Sequence, residues 1–199
     1  MRAILLLNGE PYSGNIDCGN ARVYCCDGAY LWAKDRVRID ENLGDFDSLD
    51  EIPVPAPQEV YPSEKNETDG ELALDRALSW GADEIEIYGG GGGREDHFLG
   101  NLHLLFKAQQ AGAQAVMITN RARLFVQAGR VDLKGCKGKT FSIIPFGSSV
   151  HILKSEGMKY PLPEEFVYGS TRGISNIAAS DGAYFVAREP VLVIVNEEP

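Results

Sequence analysis

Five consecutive glycines stand between an apolar run and an amphipathic stretch, and this arrangement constrains the fold more than any other feature of the chain. The apolar run covers residues 85–88, the glycines are Gly89 to Gly93, and the amphipathic stretch begins near Asp96. Glycine linkers seldom separate a buried strand from a helix, so the segment indicates a strand, a tight loop and a helix. Backbone N–H groups of such a loop, with the start of the helix, form an anion-binding site. The Gly-Lys-Ser/Thr ending of a Walker loop is absent.

The first 120 residues alternate between strand-like and helix-like segments. Short apolar runs predict strands at residues 4–7, 23–26, 60–61, 85–88 and 116–119. Two amphipathic helices are predicted between the last three of these runs. Such alternation is typical of an α/β domain with a mostly parallel sheet flanked by helices on both faces.

The two predicted helices have recognisable boundaries. Thr68 and Glu71 have the spacing of a capping box at the start of the first helix, and Gly81 ends it. The second helix is predicted from residue 96 to residue 111. Four residues are predicted to share its apolar side: Leu99, Leu102, His103 and Phe106. His103 is therefore interpreted as a core residue.

The pattern changes after Asn120. Short β-type runs predict strands at residues 124–126, 131–133, 141–144, 150–153, 184–187 and 191–195. Glycines and prolines separate them at intervals of about eight to twelve residues, which is typical of an antiparallel sandwich or barrel. We therefore expect a domain boundary near Arg121, with an α/β domain over residues 1–121 and an all-β sandwich or barrel over residues 122–199.

Carboxylates follow several of the predicted strands. Asp27 comes directly after residues 23–26, and Asp45 and Asp47 come shortly after Leu43. The carboxyl ends of parallel strands meet at one edge of a sheet, where ligands bind in folds of this type. Carboxylate oxygens are ligands that Mg²⁺ prefers, so Asp45 and Asp47 are predicted to bind this ion. A solvated turn is the alternative for these two residues, and a turn with a helix cap is the alternative for Asp27.

Charged residues flank the glycine run and the first predicted helix. Arg94 is predicted to bind phosphate because its planar guanidinium can contact two oxygens. Lys65 either neutralises a phosphate oxygen or is a solvated loop lysine. Asp96 is a helix N-cap, a group that supports the metal ligands, or a substrate contact. Asp69 lies in the first turn of its helix, where a carboxylate complements the helix dipole.

Composition excludes several classes of function. The 199 residues carry a formal net charge of −10, and no basic stretch is present that could neutralise a nucleic acid. The first apolar run is too short for a signal peptide, and no stretch approaches membrane-spanning length. The four cysteines form no metal-like spacing with the three histidines, so free thiols and a cytoplasmic location are expected.

Taken together, the motifs resemble those of the thiamine pyrophosphokinase family from about residue 4 to residue 195. They are Asp27-Gly28-Ala29, the GDFDS segment from Gly44 to Ser48, a variant of K-D-x-T-D from Lys65 to Asp69, GGGGREDH from Gly90 to His97, S-x-G-x-x-Y-x-L from Ser155 to Leu162, and Ser175-Asn176. The pattern has one departure. Asn66 stands where the family usually has aspartate, and an asparagine cannot act as a base or add negative charge.

The resemblance implies an enzyme that transfers pyrophosphate from ATP to thiamine with the help of Mg²⁺. It implies that Asp69 is a third metal ligand beside Asp45 and Asp47. The residues implied to act in catalysis are Asp45, Asp47, Asp69, Arg94 and Asp96. Those implied to hold the metal–nucleotide are Asp27, Lys65, Asn66, Gly90, Gly91, Gly92, Gly93 and His97.

The resemblance also implies a thiamine site in the all-β domain. Ser155, Tyr160, Ser175 and Asn176 are the residues implied to contact thiamine, with the ring of Tyr160 packed on the substrate. It further implies a homodimer whose sites are shared at the subunit interface. Two other classes stay open, a metal-dependent phosphatase or nucleotide-sugar transferase that uses the paired aspartates, and a nucleotide sensor without turnover. The sequence lacks the DxDx[TV] motif of such phosphatases.

Overall fold

The chain divides into two compact units, Met1–Asn120 and Arg121–Pro199. A computed structural model describes residues 1–46, 49–50, 52–56 and 66–197. The boundary expected near Arg121 lies at the same place in the chain. The functions assigned to the two domains remain predictions.

The described residues of the first unit form five strands and three α-helices. The strands are β1 (Arg2–Leu6), β2 (Arg22–Cys26), β3 (Glu41–Leu43), β4 (Glu84–Tyr88) and β5 (Gln114–Ile118). The helices are α1 (Tyr30–Ala33), α2 (Asp69–Ser79) and α3 (Glu95–Gln110). The strand predicted at residues 60–61 lies outside the described residues. The sequence pattern did not predict α1, because four residues are too few to show a helical period.

The strands of the first unit pair in the order β5-β4-β1-β2-β3, and each pairing among them is parallel. The central strand β1 has β2 on one side and β4 on the other. The chain therefore builds the sheet outwards from β1 in both directions. In open α/β sheets, the point where the winding reverses leaves a crevice at the carboxyl ends of the strands.

Alternate residues of the strands pack on opposite faces of this sheet. Ile4 and Val23 belong to a core cluster that includes Tyr30 of α1. On the other face, a Cβ on Gly70 of α2 would lie 3.4 Å from the Leu7 side chain. Helices therefore cover both faces of the sheet, as the strand–helix alternation predicts.

At the start of α2, one of the two hydrogen bonds of the predicted capping box is present. The Thr68 hydroxyl accepts a hydrogen bond from the Glu71 N–H at 3.2 Å. The Glu71 carboxylate does not complete a capping box with Thr68. It accepts a hydrogen bond from Lys107 of α3 at 2.8 Å, and Lys107 also donates to Asp75 at 2.7 Å. An ion-pair network therefore links the two helices, and Gly81, with φ of +91°, follows the end of α2.

The predicted apolar face of α3 is wrong in part. Its buried residues are Leu102, Leu104, Leu105 and Ala108. Leu99 is 54% exposed and His103 is exposed, so His103 is not a core residue. The error arises because the helix buries its leucine-rich side and turns the side with His103 towards solvent.

No helix in the described part of the chain is long and apolar enough to cross a membrane.

The second unit is built from antiparallel strands. They are β6 (Ala122–Asp132), β7 (Thr140–Ile144), β8 (Val150–Glu156), β9 (Glu165–Phe166), β10 (Asn176–Ile177) and β11 (Tyr184–Asn196). β11 pairs with β6, β7 and β8, while β7 also pairs with β10 and β8 with β9. A core cluster with Phe141, Phe166 and Phe185 lies among them.

Two pairs of strands predicted as separate are single long strands. β6 contains the predicted run at 124–126 and the first two residues of the run at 131–133, and β11 contains both runs at 184–187 and 191–195. Gln127, Gly129 and Arg130, between the two runs of β6, continue the ladder because they pair with Val191, Ala187 and Val186 of β11. An irregularity in register between Ala187 and Val191 accommodates the interruption.

All four cysteines are free thiols, and burial is expected to control their reactivity. Burial, followed by the charge of Asp27, raises the pKa of Cys25 to about 12. At pH 8 only roughly one thiol in ten thousand would then be ionised. We expect iodoacetamide to modify the half-buried Cys18 in the folded protein and to leave Cys25 intact until denaturant is added. Mass spectrometry of wild type and Cys18→Ser checks this, and rapid labelling of Cys25 in the folded variant would contradict it.

Candidate active site

A cleft of about 280 Å³ opens where β1, β2 and β4 end at the carboxyl edge of the first unit's sheet. The segments that follow these strands line it, together with the first turns of α2 and α3. The side chains at its wall include Asp27, Asp69, Arg94, His97 and Asn101. The first four were predicted site residues, and the fold brings them together at the winding reversal of the sheet.

The glycine run is a fixed loop, because backbone hydrogen bonds join it to the segment after β1. The N–H of Gly9 donates to the carbonyl of Gly89 at 2.8 Å, and the N–H of Glu10 donates to the carbonyl of Gly91 at 2.6 Å. Gly89 has φ of +69°, and a Cβ there would lie 2.2 Å from the carbonyl oxygen of Leu7. A side chain at this position would therefore displace the backbone.

The four glycines predicted to hold phosphate occupy different environments. Gly90 and Gly92 line the cleft. Gly91 is buried, and Gly93 is exposed. The loop leads directly into α3, so its backbone and the positive end of the helix dipole lie on the same side of the cleft. This combination attracts anions.

The glycine loop follows β4, and Asp27 follows β2 on the other side of β1. Asp27 has an unusual backbone conformation. Its φ is +34°, and a Cβ on Gly44 would lie 2.9 Å from the Cβ of Asp27. Only glycine at position 44 allows this approach. The chain therefore passes close to Asp27 directly before it reaches Asp45. Asn8 packs even more closely on Gly28, since a Cβ at position 28 would lie 2.3 Å from the Asn8 amide nitrogen.

Asp69 is the first residue of α2 and is half-buried at the wall of the cleft. The Thr68 side chain caps this helix. The thiol of Cys26 donates a hydrogen bond to the Asp69 carbonyl at 3.4 Å, which joins the end of β2 to the start of α2. Asp27 and Asp69 therefore line one cleft although 42 residues separate them in the chain.

The predicted metal set of Asp45, Asp47 and Asp69 stays a prediction, because Asp47 lies outside the described residues. Among the residues that the structure describes, no three acidic, histidine or cysteine side chains form a group that could hold a metal. The described part nevertheless fits a hard cation. Asp27 and Asp69 both line one cleft, and Asp45 directly follows Gly44, which packs on Asp27. Carboxylates are the oxygen ligands that such an ion prefers. Lys65 also lies outside the described residues, while Asn66 is exposed and outside the cleft lining.

Arg94 forms a two-bond ion pair with Asp96. Its Nε donates to Asp96 Oδ1 at 3.1 Å, and its Nη2 donates to Asp96 Oδ2 at 2.6 Å. The hydrogen bond from Arg94 lowers the pKa of Asp96, whereas the same bond raises the pKa of Arg94. Both side chains are exposed, so the guanidinium is accessible to a ligand at the rim of the cleft.

The interpretation of Asp96 as a helix N-cap is wrong. Arg94 is the N-cap residue of α3, with φ of −75° and ψ of 128°, and Glu95 begins the helix. The Asp96 carboxylate instead accepts a hydrogen bond from the N–H of His97 at 2.9 Å. Arg94 has the extended backbone conformation of an N-cap residue, so the helix starts at the next residue. This start is one residue earlier than predicted. Asp96 therefore orients Arg94 and the first turn of α3.

Asn8, Cys26 and Asn101 are among the residues lining the cleft that were not predicted from the sequence. Asn8 and Cys26 carried no recognisable signal, because their positions depend on the pairing of β1 and β2. Asn101 had one, since it lies four residues after His97 and so on the same side of the helix. Its side chain donates to the carbonyl of Gly90 at 2.9 Å.

The second unit contains a separate pocket of about 340 Å³ that includes three of the four residues implied to bind thiamine. Tyr160, Ser175 and Asn176 line it together with Phe166 and Arg172. Tyr160 is 53% exposed, so its ring is accessible. Ser155 lies on β8 opposite Phe185 and does not line this pocket.

Asn176 has a structural role that the sequence did not indicate. It is 8% exposed, and its amide oxygen accepts hydrogen bonds from the N–H groups of Tyr160 at 3.1 Å and Ile177 at 2.7 Å. Its amide nitrogen donates to the Tyr160 carbonyl at 2.8 Å. The side chain therefore holds the backbone of Tyr160 at the pocket. The neighbouring Ser175 is exposed, with φ of +62°.

Comparison with known proteins places both units in one family. The family model for the catalytic domain of thiamin pyrophosphokinase matches residues 6–117, and the model for its vitamin B1 binding domain matches residues 130–192. The chain is 38% identical over 165 residues to a thiamine pyrophosphokinase of Bacillus subtilis, covering 78% of this chain and 77% of that protein. The chain belongs to the thiamine pyrophosphokinase family.

Solved structures of thiamine pyrophosphokinases have the same fold. The B. subtilis enzyme superposes with a TM-score of 0.82 at 31% identity, covering 98% of this chain and 97% of that one. The structure from Geobacillus thermodenitrificans also gives a TM-score of 0.82, at 27% identity, covering 100% of this chain and 98% of that one. The family resemblance of the motifs is thus confirmed over nearly the whole chain.

Proposed function

We propose that this member of the thiamine pyrophosphokinase family transfers pyrophosphate from ATP to the hydroxyl of thiamine, forming thiamine diphosphate and AMP. One observation supports this most directly. A single cleft at the winding reversal of the sheet combines a rigid glycine loop, the start of a helix, a guanidinium and two carboxylates. Such a cleft can hold a polyphosphate by its oxygens and its counter-cation at the same time.

The residues of this cleft have separate parts in the reaction. The thiamine hydroxyl oxygen attacks the β-phosphorus, the bond from that phosphorus to the oxygen on the α-phosphorus breaks, and AMP leaves. The glycine loop and Arg94 hold the transferred oxygens and stabilise their charge. Asp96 keeps the guanidinium oriented through the two-bond ion pair. Asp27 and Asp69 are the described carboxylates of the cleft, and are thus the candidates for accepting the hydroxyl proton.

Asp45, Asp47 and Asp69 are the proposed ligands of Mg²⁺, with Asp27 beside them. When bound, the ion offsets the charge of the triphosphate. The proposal is consistent with an acidic chain of net charge −10, which needs a cation to accept ATP. Asn66 contributes hydrogen bonds only, so the proposed mechanism uses no proton transfer at that position.

The pocket at Tyr160 and Ser175 is the proposed thiamine site, and the antiparallel strands around it are proposed to form a sandwich. Tyr160 offers an exposed ring for the aromatic substrate. Asn176 positions that ring through the backbone. In the proposed homodimer, each site combines the nucleotide cleft of one chain with the thiamine pocket of the other. We propose a cytoplasmic location, where ATP and thiamine are both available.

Release of AMP with and without thiamine tests the proposed activity. We expect purified protein with Mg-ATP to form AMP and thiamine diphosphate in equal amounts, only when thiamine is present. Chromatography with mass detection measures both products. Inorganic phosphate released without thiamine would indicate a phosphatase, and dependence on a sugar nucleotide would indicate a glycosyltransferase. ATP binding without AMP formation would indicate a sensor, so each of these results would overturn the proposal.

A further inference from the structure

Asn101 connects the glycine loop to α3 at the wall of the cleft. It lies on the cleft side of α3, half-buried, and its amide nitrogen donates to the carbonyl of Gly90 at 2.9 Å. Its amide oxygen would lie 3.6 Å from a Cβ on Gly70, in the first turn of α2. A single side chain therefore lies between the phosphate loop and the helix that carries Asp69.

Three successive carbonyls of the loop are hydrogen-bonded from two directions. Those of Gly89 and Gly91 accept from the N–H groups of Gly9 and Glu10, in the segment after β1. The carbonyl between them, of Gly90, accepts from Asn101. Because a peptide unit is planar, fixing the Gly90 carbonyl also fixes the orientation of the next N–H group.

Glycine loops need such restraints, since glycine loses the most conformational freedom on ordering. A loop held in its binding conformation spares the ligand that cost. We infer that Asn101 is a positioning residue, which holds the glycine loop in the conformation that binds the phosphates of the nucleotide. The inference rests on the proposed function, because it takes the loop to be the phosphate site.

Two substitutions separate positioning from packing. Asn101→Ala removes the donor and the volume, while Asn101→Leu removes the donor and keeps a similar volume without adding charge. Gln110→Ala, at the exposed end of the same helix, is the matched control. Loss of one hydrogen bond to the loop predicts about a tenfold weaker binding of pyrophosphate and a similar rise in KM for ATP. The KM for thiamine should change less than about twofold by the same argument, because the loop makes no thiamine contact in the proposal.

Calorimetry with inorganic pyrophosphate and Mg²⁺ measures binding without turnover. We expect weaker binding in both Asn101 variants and unchanged binding in Gln110→Ala, with each protein retaining a cooperative thermal transition. If Asn101→Ala fails to fold, Asn101→Leu decides the question. Unchanged pyrophosphate binding in a folded variant, equal losses for pyrophosphate and thiamine, or no pyrophosphate binding by the wild type would overturn the inference. Wild-type protein that binds pyrophosphate but forms no AMP would overturn the proposed function alone.

Discussion

Asp69→Asn is expected to lower kcat at least roughly a hundredfold, the scale of losing one preorganised electrostatic contact at a reacting phosphate. Asp69 lines the cleft from the first residue of α2, and its carbonyl accepts the Cys26 thiol. Asparagine keeps the shape of the side chain and removes its charge. The fold should persist, because the lost helix-dipole interaction is worth only about 0.3–1 kcal/mol.

Glu71→Gln is the matched control for this loss. Glu71 is the other acidic residue in the first turn of α2, and its carboxylate pairs with Lys107 outside the cleft. It should therefore lose the same dipole interaction and keep its activity, because Lys107 still pairs with Asp75 at 2.7 Å and continues to join α2 to α3. We compare the two variants by their initial rates of AMP formation at several Mg²⁺ concentrations. A chelator removes the ion reversibly. Near-normal turnover by folded Asp69→Asn, or an equal loss in Glu71→Gln, would remove Asp69 from the mechanism.

Arg94→Ala should lower kcat/KM for ATP by about a hundredfold, the scale of losing one preorganised donor at a reacting group, and the value for Arg94→Lys should fall between this variant and wild type. Alanine removes both the charge and the two-pronged donor, whereas lysine keeps the charge without the planar fork. The lowered pKa of Asp96 means that this ion pair is fully formed above the ordinary carboxyl pKa and is lost only as the pH falls through the lowered value. The effect of the substitution should therefore be constant across neutral pH.

The second unit provides a control with nearly the same local geometry. Arg130 and Asp132 are also two residues apart, and Arg130 donates to the carboxylate at 2.7 and 2.9 Å. Their pair lies on β6, outside the cleft. Steady-state rates of Arg94→Ala and Arg130→Ala are compared at saturating thiamine. We expect Arg94→Ala to show the whole loss of kcat/KM for ATP and Arg130→Ala to show none. Equal losses in the two variants would show that Arg94 acts through general surface charge.

The sequence predicted those parts of the fold that depend on local interactions. Thr68 marks the start of α2 because its hydroxyl caps the helix, whatever packs around it. The short buried strands of the first unit were visible as apolar runs. His103 was misplaced because the helical period permits more than one buried face, and packing against β5 selects among them. β6 and β11 were divided because polar residues look like a break when the partner strand is unknown.

The candidate site divides in the same way. Asp27, Asp69 and Arg94 were visible because they follow strands or begin helices, and the parallel sheet brings such positions to one edge. Asn101 was missed because its importance depends on contact with Gly90, eleven residues away. The structural role of Asn176 was missed for a similar reason, while its contact with thiamine stays a prediction. Its amide looked available to a ligand in the sequence, but the backbone of Tyr160 already uses both ends of it.

The ion-pair network between α2 and α3 has a consequence for how ligands enter the cleft. Lys107 joins Glu71 and Asp75, so the two helices are tied together along their sides. One of these helices begins at Asp69, and the other begins directly after its N-cap residue Arg94. The carboxylate that is proposed to face the cation and the guanidinium that is proposed to face the phosphates are therefore mounted on a single rigid frame. Little of the binding energy of ATP is then needed to assemble the two halves of its site, and more of it remains to strain the bond that breaks.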